Sequence, residues 1–133
     1  MNNDLPLRTG VGVVVINSKN RVFVGRRIDN SNDKWQLPQG GVDKDEELLS
    51  AMKRELHEET SIKNIKILKE LDYWVEYELP KRLVGIIWKG KFRGQKQKWF
   101  IVRFVVNETE ININTKKPEF NDWKWLDANE LPN

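Results

Sequence analysis

Three glutamates, Glu55, Glu58 and Glu59, stand three and four residues apart in a segment whose apolar positions recur with helical period. On a helix that spacing turns all three carboxylates to one face. Like charges held so close repel, and a fold that keeps them together ordinarily holds a compensating cation. The chain has no cysteine and one histidine, His57. The donors are therefore hard oxygens, which suit Mg2+ or Mn2+. A bare triplet of this kind is more often a solvated acidic face. Here it comes with a Gly40–Gly41 loop, Glu46 and Arg54. Arg54 lies four residues before Glu58 and can fix the carboxylates. The glycines let the backbone approach the same place, so a carbonyl near Gln39–Gly40 can join the ligands.

These residues must be positioned by a small fold. The 133 residues make about one domain, with 38% hydrophobic and 32% charged residues, a balance that suits a globular chain. Leu49, Met52 and Leu56 form the apolar stripe of one confident helix, which ends near Glu59 or Thr60 and has Asp43 or Asp45 as its cap. Val11–Ile16 and Arg21–Gly25 read as a hairpin joined by a turn at 17–20. Trp35–Leu37 is a short strand, and Ile28–Lys34 is a polar loop. Ile65–Leu71, Tyr73–Leu79, Leu83–Lys91 and Lys98–Asn107 follow as strands, then Trp123–Leu126, with a helix beginning at Ala128–Glu130. A mixed sheet with one dominant helix is expected, of α+β class or an α/β/α sandwich.

Charge is unevenly spread. Of the net +3, the acid-free stretch from Leu79 to Asn107 carries +8, so the remainder sums to −5. A basic segment beside an acidic one fits a polyanion meeting a metal held by carboxylates. The absence of cysteine removes disulfides, thiolate zinc sites and thiol nucleophiles, and fits a cytoplasmic protein. No apolar run approaches the roughly 18–20 residues of a membrane span, and the N-terminus reads as no secretory signal. His57 reads as a surface or packing residue. Trp35, Trp99, Trp123 and Trp125 read as packing aromatics.

Taken together, Gly40, Glu46, Arg54, Glu55, Leu56, Glu58, Glu59 and Ile62 resemble the signature box of the Nudix hydrolases, here spanning residues 40–62 of a single domain over 1–133. The one departure is Ser61, where the family has glycine. That position follows the helix end, where a left-handed backbone is common, and a serine there costs roughly 1 kcal/mol. The likeness runs on through the segments 35–41, 79–83 and 94–100, Tyr77, and Pro118–Glu119–Phe120 with Trp123 and Trp125. These resemble the bacterial RNA pyrophosphohydrolases, a group also described as dinucleoside polyphosphate hydrolases. Two features differ from that group's usual pattern: a longer 28–34 loop and a shorter C-terminal end.

The resemblance implies a Nudix α/β/α sandwich with one catalytic helix and a Mg2+-dependent hydrolase of phosphoanhydride bonds. Its substrate would be 5′-triphosphate RNA or a dinucleoside polyphosphate, and no obligate protein partner or membrane is implied. Glu55, Glu58 and Glu59 would be catalytic and, with Gly40, metal-binding. Either Glu55 or Glu58 would also act as base toward the attacking water. Glu119 would add a ligand from a distant loop. Glu46 and Arg54 would support the cluster. Among the cations Arg8, Arg27, Lys81, Arg82, Lys96 and Lys98, the last lies in the matching Gln-Lys-Gln-Lys-Trp segment and is the first choice for the phosphates. Tyr77 would meet the base or ribose, and Arg27 offers a guanidinium plane for an unstacked base. The rival readings are a dinucleotide hydrolase that ignores RNA and, more remotely, an inactive Nudix module that only binds nucleotide or RNA.

Overall fold

A computed structural model describes residues 5–28, 35–84 and 86–130. Its strands are β1 (Leu7–Ile16), β2 (Arg21–Arg27), β3 (Trp35–Gln36), β4 (Gln39–Gly41), β5 (Ile65–Glu78), β6 (Gly94–Phe104) and β7 (Phe120–Asp127), with one helix, α1 (Leu48–Thr60), between β4 and β5. The strands form one mixed sheet ordered β3-β2-β1-β6-β5, with β4 pairing β1 and β7 pairing β2. β1 and β6 are parallel from Leu7↔Gly94 to Ile16↔Arg103, whereas the other pairs are antiparallel. The expected mixed sheet with one helix, an α+β sandwich, is what the chain forms. The helix expected at Ala128 is a single 3-10 turn, Ala128–Glu130, so a second helical layer is not present among the described residues.

The core follows from strand alternation. Val11, Val13 and Val15 point to one face of β1, and Phe100 and Val102, the partners of Val13 and Val15, point the same way. α1 packs over them with Ala51, Met52 and Leu56, each fully buried. On the other face of β1, Gly12 leaves room for the Trp99 ring, which a Cβ there would strike. The same core stacks Phe23 on Trp123 at 5.6 Å, with Phe120 and Trp125 edge-on to Phe23.

Several elements differ from expectation. The helix begins at Leu48 and has no side-chain cap, because Asp43 and Asp45 belong to the turn before it. Asp45 is left-handed (φ 64°), and Asp43 closes that turn by pairing with Glu46. Leu49 is exposed, and Leu48 packs on the core in its place. Ile65–Leu71 and Tyr73–Leu79 are one strand whose register shifts between Glu70 and Trp74. Among the described residues of Leu83–Lys91 there is no strand. Leu83 donates back to the Pro80 carbonyl in a 3-10 turn. Trp88, Lys89 and Gly90 are left-handed, which turns the chain before β6. β6 itself starts at Gly94 and ends at Phe104, because its parallel pairing is set by β1. The loop expected over Ile28–Lys34 lies outside the described residues beyond Ile28.

Ser61 is left-handed (φ 66°) at the end of α1. Its hydroxyl donates to the Asn112 carbonyl at 2.8 Å, and the Asn112 N–H returns a bond to the Thr60 carbonyl at 2.9 Å. The side chain that strains the turn therefore also ties it down. Ser61→Ala keeps the strain and loses the bond, and is expected to cost about 1 kcal/mol of unfolding free energy. Ser61→Gly loses the bond but relieves the strain, so its change should stay within about 0.5 kcal/mol. Urea denaturation of both variants checks this; a glycine variant as unstable as the alanine one would mean that the left-handed serine carries no cost.

Candidate active site

The carboxylates of α1 are arranged by Arg54. Its Nε and Nη2 donate to the two oxygens of Glu46 at 2.8 and 2.9 Å, and Nη2 also donates to the Gly41 carbonyl at 2.8 Å. Nη1 donates to Glu55 at 2.8 Å and to Glu58 at 3.2 Å. One planar guanidinium, with its fixed fork of donors, thus joins the loop, β4 and the helix. The Arg54 hydrogen bond, helped by the Asp43 N–H, holds the Glu46 carboxyl down at about 2. In return Glu46, followed by Glu55, pushes the guanidinium pKa upward. Glu46 and Arg54 occupy the supporting positions expected of them.

Glu59 is placed differently. It continues the buried stripe of Met52 and Leu56 and is only 3% exposed. Its Oε2 has no hydrogen-bond partner. Burial first, then the charges of Glu55 and Glu119, raise its carboxyl from 4.5 to about 9. Burial likewise raises Glu55, against the opposing pull of Arg54. Gly40 faces this cluster, and a Cβ there would collide with the Glu55 carboxylate, so the close approach expected of the loop requires glycine. Glu119, from the segment before β7, is joined to Arg27 at 2.8 Å.

These groups line one cleft of about 510 Å³: Arg8, Arg27, Gly40, Glu55, Glu58, Glu59, Tyr77 and Glu119 all border it. Lys98 does not. Gln95 and Gln97 point one way from β6, while Lys96 and Lys98 point the other, with their ammonium groups 4.9 and 5.5 Å from the Trp74 ring centroid. The two-residue period of the strand separates them. Lys81 and Arg82 lie in an exposed turn outside the lining. In their place the cleft is bordered by Gln36, Gln95 and Trp88, for which the sequence suggested no role, and by Gln39, whose segment was expected to offer a carbonyl. Gln95 is almost fully buried, and its Oε1 accepts from Arg8 at 3.3 Å and from the Tyr77 hydroxyl at 3.2 Å. The available signal was the alternation of glutamine with lysine over 95–98, which puts the two residue types on opposite faces of a strand.

A family model described as NUDIX domain matches residues 6–133. The chain belongs to the Nudix family. It is 61% identical over 128 residues to an RNA pyrophosphohydrolase of Pelagibacter ubique (strain HTCC1062), covering 96% of this chain and 81% of that one. It is 46% identical over 131 residues to an RNA pyrophosphohydrolase of Orientia tsutsugamushi (strain Boryong), covering 98% and 81%. Among solved structures it is similar to the E. coli dihydroneopterin triphosphate pyrophosphohydrolase, with a TM-score of 0.72 at 24% identity, covering 93% of this chain and 84% of that one. It is also similar to a C. elegans Ap4A hydrolase, with a TM-score of 0.66 at 20% identity, covering 91% and 80%. Both structures share the fold.

Nudix hydrolases depend on divalent metal ions, and the residues present fit one. A buried carboxylate with an orphaned oxygen, beside two further acids, is a donor set short of a cation. Among the described residues no three acidic or histidine side chains are already arranged to hold a metal, and Arg54 is hydrogen-bonded to both Glu55 and Glu58.

Two predictions follow from this geometry. Arg54→Lys keeps the charge but cannot span Glu46, Gly41 and Glu55 at once. Affinity for a divalent ion, titrated by calorimetry, is expected to fall about 10- to 100-fold; unchanged affinity would show that the fork does not organise the site. The second concerns metal-free protein. A carboxyl raised in the folded state binds more protons there than when unfolded, so stability present below 4.5 is lost progressively as pH rises toward about 9. Thermal melts in chelator should show this decline, and Glu59→Gln should flatten it.

Proposed function

We propose that this Nudix hydrolase removes pyrophosphate, or successive phosphates, from the 5′-triphosphate end of RNA with Mg2+ as its cofactor. The product is a 5′-monophosphate end, which would open messenger RNA to decay in the cytoplasm. One observation carries the reading: three helix carboxylates and the cations Arg8 and Arg27 line the same open cleft. Such a cleft accepts a polyphosphate whose far side continues into a chain. The name shared by the relatives at 46% and 61% identity supports it.

Hydrolysis of a phosphoanhydride requires positioning, charge neutralisation and an aligned water. A divalent ion would supply charge neutralisation on the phosphate oxygens and lower the pKa of a nearby water. Glu55, Glu58 and Glu59 would hold it, with Glu119 and the Gly40 carbonyl completing the set. Either Glu55 or Glu58 takes the proton from the attacking water. Arg8 and Arg27 orient the phosphates through charge-assisted hydrogen bonds, and Arg27 must exchange part of its pairing with Glu119 to do so. Tyr77, hydrogen-bonded to Gln95, borders the side where a ribose or base would lie. A dinucleoside polyphosphate carries the same polyphosphate and is the competing substrate. An inactive binding module would have no use for three intact carboxylates, one of them buried with an orphaned oxygen.

The test gives the enzyme 5′-triphosphate RNA and diadenosine tetraphosphate side by side with Mg2+ at matched concentrations. Faster release of phosphate or pyrophosphate from RNA is expected. Cleavage of the dinucleotide alone would replace the RNA reading with the dinucleotide one. Glu59→Gln should lower turnover by more than about a hundredfold, beyond the range for outer-shell partners of a metal, while keeping affinity for the polyanion. A variant that keeps full turnover would remove Glu59 from the machinery.

A further inference from the structure

The cleft carries an aromatic side chain that no step above uses. Trp88 lies between β5 and β6, half-buried, in the same lining as the carboxylates and Arg8. Its backbone is left-handed (φ 55°, ψ 38°), as is that of Lys89 (φ 57°, ψ 26°), and Gly90 follows at φ 71°. A bulky L residue in that region is an outlier. Such conformations persist where the surroundings over-determine them, and they gather at ligand sites.

The surroundings of Trp88 are specific. The Phe92 ring stands edge-on at 6.0 Å. The Arg8 guanidinium lies 5.2 Å from the indole centroid and donates to Gln95 from the same group. Packing does not account for this placement, because the aromatic residues of the core are Phe23, Phe100, Phe104, Phe120, Trp123 and Trp125. Tyr77 and Arg27 border the same cleft, with the Tyr77 hydroxyl bonded to Gln95 and Arg27 paired with Glu119, while Trp88 is the indole ring of the lining that has a guanidinium against it. A cation beside a flat apolar ring matches the two ends of a nucleotide, an anionic phosphate and a π-face.

We propose that Trp88, with Arg8 against its ring, is the platform on which the base next to the polyphosphate stacks. Under the RNA reading, on which this inference rests, that base is the first nucleotide of the transcript. Every base has a π-face, so the platform gives affinity for a nucleotide without reading its sequence.

The test uses a 5′-triphosphate oligoribonucleotide with methylene groups replacing the anhydride oxygens and 2-aminopurine as its first base, with Mg2+ present. Wild-type protein and Trp88→Phe should quench the 2-aminopurine on binding. Trp88→Ala should bind about tenfold or more weakly, without the quench. An oligonucleotide abasic at the first position should bind all three proteins alike. A quench retained by Trp88→Ala, or equal losses on the abasic and base-bearing oligonucleotides, would overturn the proposal, the latter by showing that Trp88 only shapes the cleft. Turnover of ordinary triphosphate RNA by the wild type is measured beside it. No turnover with an intact quench defeats the RNA reading and supports stacking. Turnover without a wild-type quench defeats stacking alone.

Discussion

The site depends on one guanidinium. Arg54 spends its donors on Glu46, Gly41, Glu55 and Glu58, so the loop, β4 and the helix are held in one arrangement by a planar group whose angles cannot vary. The consequence is a division among the acids. Glu46 is strongly ionised and structural. Glu55 and Glu58 are held at the mouth of the cleft. Glu59 receives none of these donors and is left as a buried carboxyl with an orphaned oxygen. A lone buried charge is too costly to remain ionised, which is why its proton is retained so far above the ordinary range.

That buried acid connects stability with chemistry. Glu59 takes the position in α1 where an apolar residue would complete the stripe begun by Met52 and Leu56. The fold therefore gives up core stabilisation at the point where a cation would sit. Glu119 approaches from the segment before β7 and adds to the same negative field, while Arg27 partly offsets it. The cleft is lined by Glu55, Glu58, Glu59 and Glu119 against Arg8 and Arg27, so its acids outnumber its arginines, and a divalent ion would offset that excess where a polyphosphate meets it.

The sheet decides which basic residues meet this set. In β6, glutamines and lysines alternate over 95–98, so the strand presents Gln95 and Gln97, both buried, to the face shared with Arg8, and Lys96 and Lys98 to Trp74. The parallel pairing of β1 with β6 brings Arg8 opposite Gln95, and the antiparallel pairing of β5 with β6 brings Tyr77 to the same residue. Three strands distant in sequence thus meet at one buried amide, and Trp88 closes over Arg8 from the turn between β5 and β6.

Much of the site was legible in the residues themselves. Contiguous spacing placed Glu55, Glu58 and Glu59 on one helix, because helical period is a local property. The left-handed turn at Ser61 is local in the same sense, whereas glycine is needed at position 40 because the Glu55 carboxylate of α1 comes against it. The resemblance of the 118–120 segment brought Glu119 in from far along the chain. What only the tertiary structure decided is everything that depends on register and pairing. Sequence shows Lys96 and Lys98 as cations near a matching motif, but not which face of β6 borders the cleft, since a shift of one residue reverses every side chain. Burial of Glu59, exposure of Leu49, and the departure of the 81–93 segment from the sheet depend on packing between distant elements. No local preference reports such packing, because the free energy that settles it comes from surfaces that meet only once the chain has folded.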